Sequence, residues 1–343
     1  MPRLHLARFR LTGGVVFGLA VLGVAAALYA ARGTGLKQHL FPVVKAGRSA
    51  LAANFLQDIV LNPWFYLVVG GVMVLERLIP AVKDQPVLSR GFFQDLVWAP
   101  FTLIMHAFLL PLHIALLAFL YNRYLDFLTV HSLDSWPWLV RVILALLVSD
   151  FLFWASHYIR HKVRVLWYFH AVHHSQKELN FFTEYHVHPL DDVFLYTLGF
   201  IPLFMVQSSF VEIAAVTWIR SWQTRFYHSN IRTNLGWLRY VFVTPQSHRV
   251  HHSIEPQHHD RNFGLMFSIW DHLFGTQYRG YDEYPATGIE EEAFPYELEG
   301  GRLAWLQRLF SQLIYPFEAI GRHVRSNRPD QLAPVPPAAP SSP

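Results

Sequence analysis

Asp150-Phe-Leu-Phe-Trp-Ala-Ser-His157-Tyr-Ile-Arg-His161 places two histidines at the end of an apolar run, and histidine returns at His170-Ala-Val-His173-His174. A long apolar insertion follows, then His228, then Pro245-Gln-Ser-His248-Arg-Val-His251-His252. Of the 20 histidines in the chain, thirteen fall between His157 and His259. Neutral imidazole is a common transition-metal ligand near physiological pH. Residues three or four apart share one face of a helix. His157 with His161, His170 with His173, and His248 with His251 therefore each offer a pair, and the doubled histidine of the later motifs adds a ring on a different side. Three such motifs predict a histidine-rich site for more than one metal ion. The chain has no cysteine, which excludes disulfides, thiolate zinc sites and cysteine nucleophiles.

Working outward, the chain of 343 residues is 52% hydrophobic and only 15% charged, with a net charge of +4. Soluble domains carry about a quarter charged residues, so this composition predicts a membrane protein. Its basic residues sit beside apolar runs, which suits lipid headgroups rather than nucleic acid. Spans are expected at Leu11–Ala31, Trp64–Ile79, Leu96–Tyr121 (interrupted by Pro100 and Pro111) and Trp138–Ser156. His106 and His113 in the third span read as packing residues. Arg3, Arg8 and Arg10 before the first span, and Arg160, Lys162 and Arg164 after the fourth, place both ends of this set in the cytoplasm. The basic first loop runs against that pattern.

Val193–Gln207 and Ser209–Trp222 are short for separate crossings, so they read as a hairpin that returns His228 to the other histidines. Gly301 to Val324 has the pattern of an amphipathic, interfacial helix. The expected fold is all-α: an integral membrane protein with about four transmembrane helices and a cytoplasmic helical cap holding the site. Its divisions are an N-terminal helix and polar loop at 1–58, helices two and three at 59–137, a catalytic domain at 138–277, a C-terminal interfacial region at 278–327 and a disordered tail at 328–343.

The ordered set His-x3-His, His-x2-His-His and His-x2-His-His resembles the fatty acid hydroxylase/sterol desaturase superfamily of membrane di-iron enzymes. His228-Ser-Asn-Ile, Asn234-Leu-Gly, Thr244-Pro-Gln-Ser-His-Arg-Val-His-His252 and Asn262-Phe-Gly through Trp270-Asp-His-Leu-Phe-Gly-Thr276 look especially like bacterial sterol-desaturase-like proteins and alkylglycerol monooxygenases. The resemblance covers roughly Arg141 to Gln277. It implies that His157, His161, His170, His173, His174, His228, His248, His251 and His252 are metal ligands, with His188 of His188-Pro-Leu-Asp191 a tenth position or near neighbour. It also implies two iron ions, O2 as co-substrate, a membrane lipid substrate (acyl chain or sterol-like ring) hydroxylated or desaturated at a C–H bond, and a bacterial inner-membrane location. No fused electron-transfer domain is visible, so a separate cytochrome, ferredoxin or flavoprotein must supply electrons. Two departures stand out. Lys162 replaces the acid that follows the first motif in alkylglycerol monooxygenases, and Arg232 replaces a second histidine found after the His228 position in fatty acid 2-hydroxylases.

Ligand imidazoles need acceptors on their other ring nitrogen. Asp150 is the expected catalytic acid, because it lies near the helical face of His157 and an acid within a span is a functional candidate. Pairing with Arg141 or Arg160 is the structural alternative. Asp191, Asp192, Glu184, Asp260 and Asp271 are weaker candidates, with Glu184 and Asp192 read as solvated or capping residues. His186, His258 and His259 read as polar loop residues. The rival function is a histidine-rich membrane protein that binds or transports zinc, nickel or copper. A transporter would set its histidines within several spans near the midplane, whereas here they follow the spans.

Overall fold

The computed structural model describes residues 63–208, 210–291, 293–296 and 304–326. The expected first span, the loop after it and the tail from 328 lie outside the described residues. Within them the elements are α1 (Pro63–Leu78), α2 (Arg90–Leu120), α3 (Trp138–Lys162), α4 (Arg164–His174), α5 (Pro189–Gly199), α6 (Ile201–Met205), α7 (Phe210–His228), α8 (Pro245–His251), α9 (Ile269–Phe274) and α10 (Ala304–Ser326). The described residues form no strand, only isolated bridges such as Phe242 with Phe267. Among them α3 alone is long and apolar enough, by length and composition, to cross a membrane.

Local chemistry sets the ends of the elements that carry the histidines. α2 starts at Ser89, whose hydroxyl accepts from Phe92 N at 3.1 Å, and runs unbroken through Pro100 and Pro111. A proline removes one hydrogen bond from a helix, and the helix continues across both positions. α3 and α4 are separated by Val163 alone, in extended conformation (φ −100°, ψ 108°). That single residue folds the second histidine motif back on the first. α5 opens with Pro189 behind His188, whose ring nitrogen accepts from Leu190 N. α8 opens with a reciprocal cap between Thr244 and Ser247, with Pro245 in the first turn.

Two apolar cores hold this frame. Phe153 of α3 packs with Leu195, Phe200 and Leu203 of the α5–α6 arm and with Ile213 and Val216 of α7. Trp98 of α2 packs with Ala171 and Val172 of α4 and with Leu309, Tyr315 and Ala319 of α10. α10, the helix expected to be interfacial, packs on the rest of the protein along one side. It closes over α2 and α4, leaving Leu306 and Phe310 exposed. The expected hairpin path is present: α5 and α6 lead to a turn at Gln207 (φ 54°) and α7 returns to the histidines.

α3 and α5 are in close contact at Gly199, whose carbonyl accepts from the Ser149 hydroxyl. A Cβ at Gly199 would overlap the Phe153 ring. Gly199→Ala should therefore lower stability by about 1–3 kcal/mol, the usual cost of overpacking, seen as a fall in Tm of the detergent-purified protein. An unchanged Tm would show that the contact yields without strain.

Candidate metal centre

Nine of the ten sequence-predicted histidines converge, and they sort into two adjoining groups. His157, His161, His170, His174 and His251 form one, and His173, His228, His248 and His252 form the other, with ligating atoms within 4.8 Å of each other in each group. The sorting follows helical geometry. On α4 His170 and His174, one turn apart, serve the first group while His173 crosses to the second. At α8 the pattern inverts: His248 and His252 serve the second group and His251 crosses to the first. The one-turn pair is therefore i,i+4 in these motifs, not the i,i+3 pair expected from His170 with His173 and His248 with His251.

Hydrogen bonds on the outer ring nitrogens fix which atom points inward. Nδ1–H donates to a backbone carbonyl from His157 (Phe263, 2.9 Å), His173 (His186, 3.2 Å), His228 (Thr224, 2.7 Å) and His251 (Arg261, 2.8 Å). His170 Nδ1–H donates to Asp191 at 2.9 Å. With the proton held outside, each Nε2 carries its lone pair into the cluster. Those lone pairs face one another: His157 and His170 Nε2 are 3.0 Å apart, and His173 and His228 Nε2 are 3.2 Å apart. His248 Nε2 lies 2.8 Å from His228 Nε2 and 3.0 Å from His252 Nε2. The inward Nε2 atoms of His161 and His251 have no hydrogen-bond partner. Two acceptors at this separation repel unless a cation lies between them. Metal–imidazole bonds of about 2.1 Å span octahedral edges of about 3.0 Å, so the donor set fits transition-metal ions.

Burial keeps these rings neutral. It lowers the pKa of His228 to about 3, with the Thr224 carbonyl opposing, and that of His251 to about 4, with the Arg261 carbonyl opposing. His170, His173, His174, His248 and His252 are also lowered, first by burial and then by neighbouring cations and imidazoles.

The other two predicted site residues lie elsewhere. His188 donates through Nε2 to the Leu313 carbonyl at 3.1 Å and accepts at Nδ1 from Leu190 N at 3.1 Å, so both nitrogens are occupied as a helix cap under α10. Asp150 touches no histidine, and it pairs with neither Arg141 nor Arg160. It accepts from Met266 N (3.0 Å), Phe267 N (3.1 Å) and the Trp270 indole (2.9 Å), tying α3 to the 262–276 segment. The acid that orients a clustered imidazole is Asp191, which also binds the Arg160 guanidinium at 2.6 Å. Burial raises its pKa, with Arg160 opposing.

Three supports escaped the sequence reading or were underrated by it. Asp95, fully buried, accepts from Gln176, Asn180, Thr183 and His186 at 2.6–2.7 Å. It holds the loop whose His186 carbonyl receives His173. Asp271 accepts from Phe263 N and Gly264 N at 2.8 Å and from Trp154 at 2.9 Å, holding the carbonyl that receives His157. His186 does lie in a loop, but a buried one, where it stacks on Trp98 and meets Gln312 at 3.0 Å. His258 is likewise buried, between Ser253 and Glu283. Glu184, partly exposed, meets Arg225 at 3.2 Å, and Asp192, in the first turn of α5, meets His106 at 2.7 Å. An acid among apolar residues, as at Asp95 within Phe92-Phe-Gln-Asp95-Leu-Val-Trp98, was the available signal.

A cavity of about 130 Å³ opens onto both groups, with His157, His170, His173, His228 and His248 in its wall. Past the His106–Asp192 pair a smaller recess continues between Met105, Leu109 and Val193.

The site defines a class: helical proteins whose clustered imidazoles suit a pair of transition-metal ions. The fatty acid hydroxylase family model matches residues 142–276 of the chain. It is 32% identical to ornithine lipid hydroxylase OlsE of Rhizobium tropici over 58% of this chain and 57% of that one. It is 32% identical to alkylglycerol monooxygenase of Caenorhabditis elegans over 46% of this chain and 30% of that one. It is 30% identical to methylsterol monooxygenase 1 of Rattus norvegicus over 42% and 50%, respectively. The chain thus spans between 30% and 57% of the length of these relatives. No solved structure matches it significantly.

Asp191→Asn should lower metal affinity by about 10–100-fold, the usual loss on removing an outer partner of a ligand, whereas Asp150→Asn should lower Tm and leave metal per folded chain unchanged. Metal titration of both variants separates the two roles, and equal effects would overturn the assignment. Acidification gives a second expectation. Between about pH 3 and the ordinary imidazole value of 6.5 the folded metal-free chain binds fewer protons than the unfolded chain. Its stability therefore rises with pH across that window and is lost as pH falls through it. Denaturant melts of chelated protein from pH 7 to 4 check the sign.

Proposed function

We propose that this protein is an O2-dependent di-iron hydroxylase or desaturase of a membrane lipid, acting on an acyl chain or a sterol-like portion. The observation that carries the reading is the inward convergence of nine neutral imidazoles in two groups, each ring oriented from outside where its outer partner is seen. The names of the relatives support a lipid substrate and oxygen use. The five-imidazole and four-imidazole groups would each hold one iron, and the four-imidazole group has the fewer protein donors. Iron in such a site supplies the O2 activation needed to attack an unactivated C–H bond, which no side chain performs alone.

The chain's own residues do the rest. Outer carbonyls and Asp191 keep the rings in one tautomer, Phe263 and Trp167 wall the first group, and the cavity admits substrate beside His173, His228 and His248. Electrons come from a separate protein donor.

We also place the site at the cytoplasmic face of a multi-pass protein, with domain divisions as read from the sequence. Exposed apolar side chains along α1 (Trp64, Leu67, Leu78) and α3 (Leu139, Ile143, Val148) support a lipid-facing surface. The metal-transport alternative is less well supported, because the histidines close on one another between α3, α4, α7 and α8 and do not line a path through several spanning helices.

The test is lipid oxidation in a host expressing the wild type, His173→Ala or His251→Ala, with iron measured in each purified protein. About two irons per chain and oxidised lipid are expected for the wild type, and joint loss of metal and product for the variants. Full lipid oxidation by metal-free protein would defeat the proposal.

A further inference from the structure

The cavity wall holds one cation that the proposed metal chemistry does not use. Arg220 of α7 is only 5% exposed, yet no carboxylate among the described residues lies within ion-pair distance of it. One guanidinium N–H donates to the Tyr196 hydroxyl at 2.6 Å, and the plane rests over Phe153 and Tyr196 at 5.0 and 5.1 Å. Each acid lining the same cavity is engaged elsewhere. Asp191 holds Arg160, Glu184 holds Arg225, and Asp192 holds His106. A guanidinium stays charged in proteins and carries five donors in a fork that matches carboxylate or phosphate oxygens. Glu184, Asp192 and Asp150 act on Arg220 only through space, and burying a charge without a direct partner is costly.

Resting on the lipid-oxidation reading, we infer that Arg220 is the specificity-determining residue that binds an anionic oxygen group, carboxylate or phosphate, on the lipid substrate. Thr217, Ser221 and Thr224 line the cavity beside it, with their hydroxyl protons already given to the Ile213 carbonyl, Glu184 and the Ser221 carbonyl, so the donors for an anion come from the guanidinium. Arg220 stands eight residues before His228 on α7, roughly 12 Å along the helix axis. The C–H bond brought to the metals therefore lies near the lipid's polar end and not deep in an acyl chain. Neither the metals nor their ligands are altered by changing Arg220, so binding and metal content can be read apart.

The experiment is displacement of a fluorescent fatty acid from the full-length, metal-loaded protein in neutral detergent. Oleate and oleoyl lysophosphatidate serve as anionic competitors and methyl oleate as the neutral one. Wild type should bind one of the anionic lipids about 10–100-fold more tightly than methyl oleate, as expected for a buried charge-assisted contact. Arg220→Gln should abolish that preference with metal content unchanged, and Arg220→Lys should keep part of it. Equal wild-type affinity for all three lipids overturns the inference, and this arm stands even if Arg220→Gln does not fold. So does an Arg220→Gln protein that retains the preference. Absence of lipid oxidation alongside an intact, Arg220-dependent preference would defeat the proposed function alone. Oxidation without the preference would defeat only the assignment of Arg220.

Discussion

The structure depends on keeping like partial charges close together. Imidazole lone pairs face one another at about hydrogen-bond distance with no proton between them, as His157 does His170 and His173 does His228. Left alone, the rings would rotate apart or take up protons. They are prevented by burial, which disfavours the charged ring, and, at His157, His170, His173, His228 and His251, by acceptors behind them that hold the proton on the far nitrogen. Most of those acceptors are main-chain carbonyls, whose positions belong to the fold and not to a movable side chain. The rest of the molecule can be read as the means of keeping these carbonyls still.

Buried carboxylates do much of that holding. Asp95 gathers four donors of the 176–186 loop, and Asp271 gathers two main-chain amides, an indole and the Thr276 hydroxyl. Asp150 binds the same 262–276 segment from α3. Each exchanges the hydration of a charge for several short, charge-assisted bonds. Each ties a segment of mostly irregular backbone to a helix of the frame. Asp191 differs in acting on a clustered imidazole directly.

How far all this was legible in the sequence follows from the range of each interaction. The histidine motifs were readable because helical spacing is local: His157 and His161 share a face wherever the helix goes. Assigning rings to groups was not, since the doubled histidines leave i+3 and i+4 pairings both open until α4 and α8 face each other. The hairpin through Gln207 could be read from the shortness of its arms. Asp150 was misplaced because a helical wheel puts it near His157, while the segment that claims it, Met266 to Trp270, arrives from over a hundred residues away. Asp95, His186 and Gln312 form a network across α2, the loop and α10, and no spacing within one element announces it. His188 fell outside the cluster for a local reason: capping α5 occupies one nitrogen, and α10 takes the other.

The crossing of His173 and His251 has a consequence for assembly. α4 and α8 each supply both groups, so neither helix can shift to suit one ion without moving ligands of the other. If each group holds an ion, the two sites would be linked through these shared rigid bodies. Occupying one group would fix α4 and α8 for the second, so the second ion would meet a prearranged set of donors. Loading should be positively cooperative, with half-filled chains scarce at equilibrium. An arrangement that gave each helix wholly to one ion would lack this coupling.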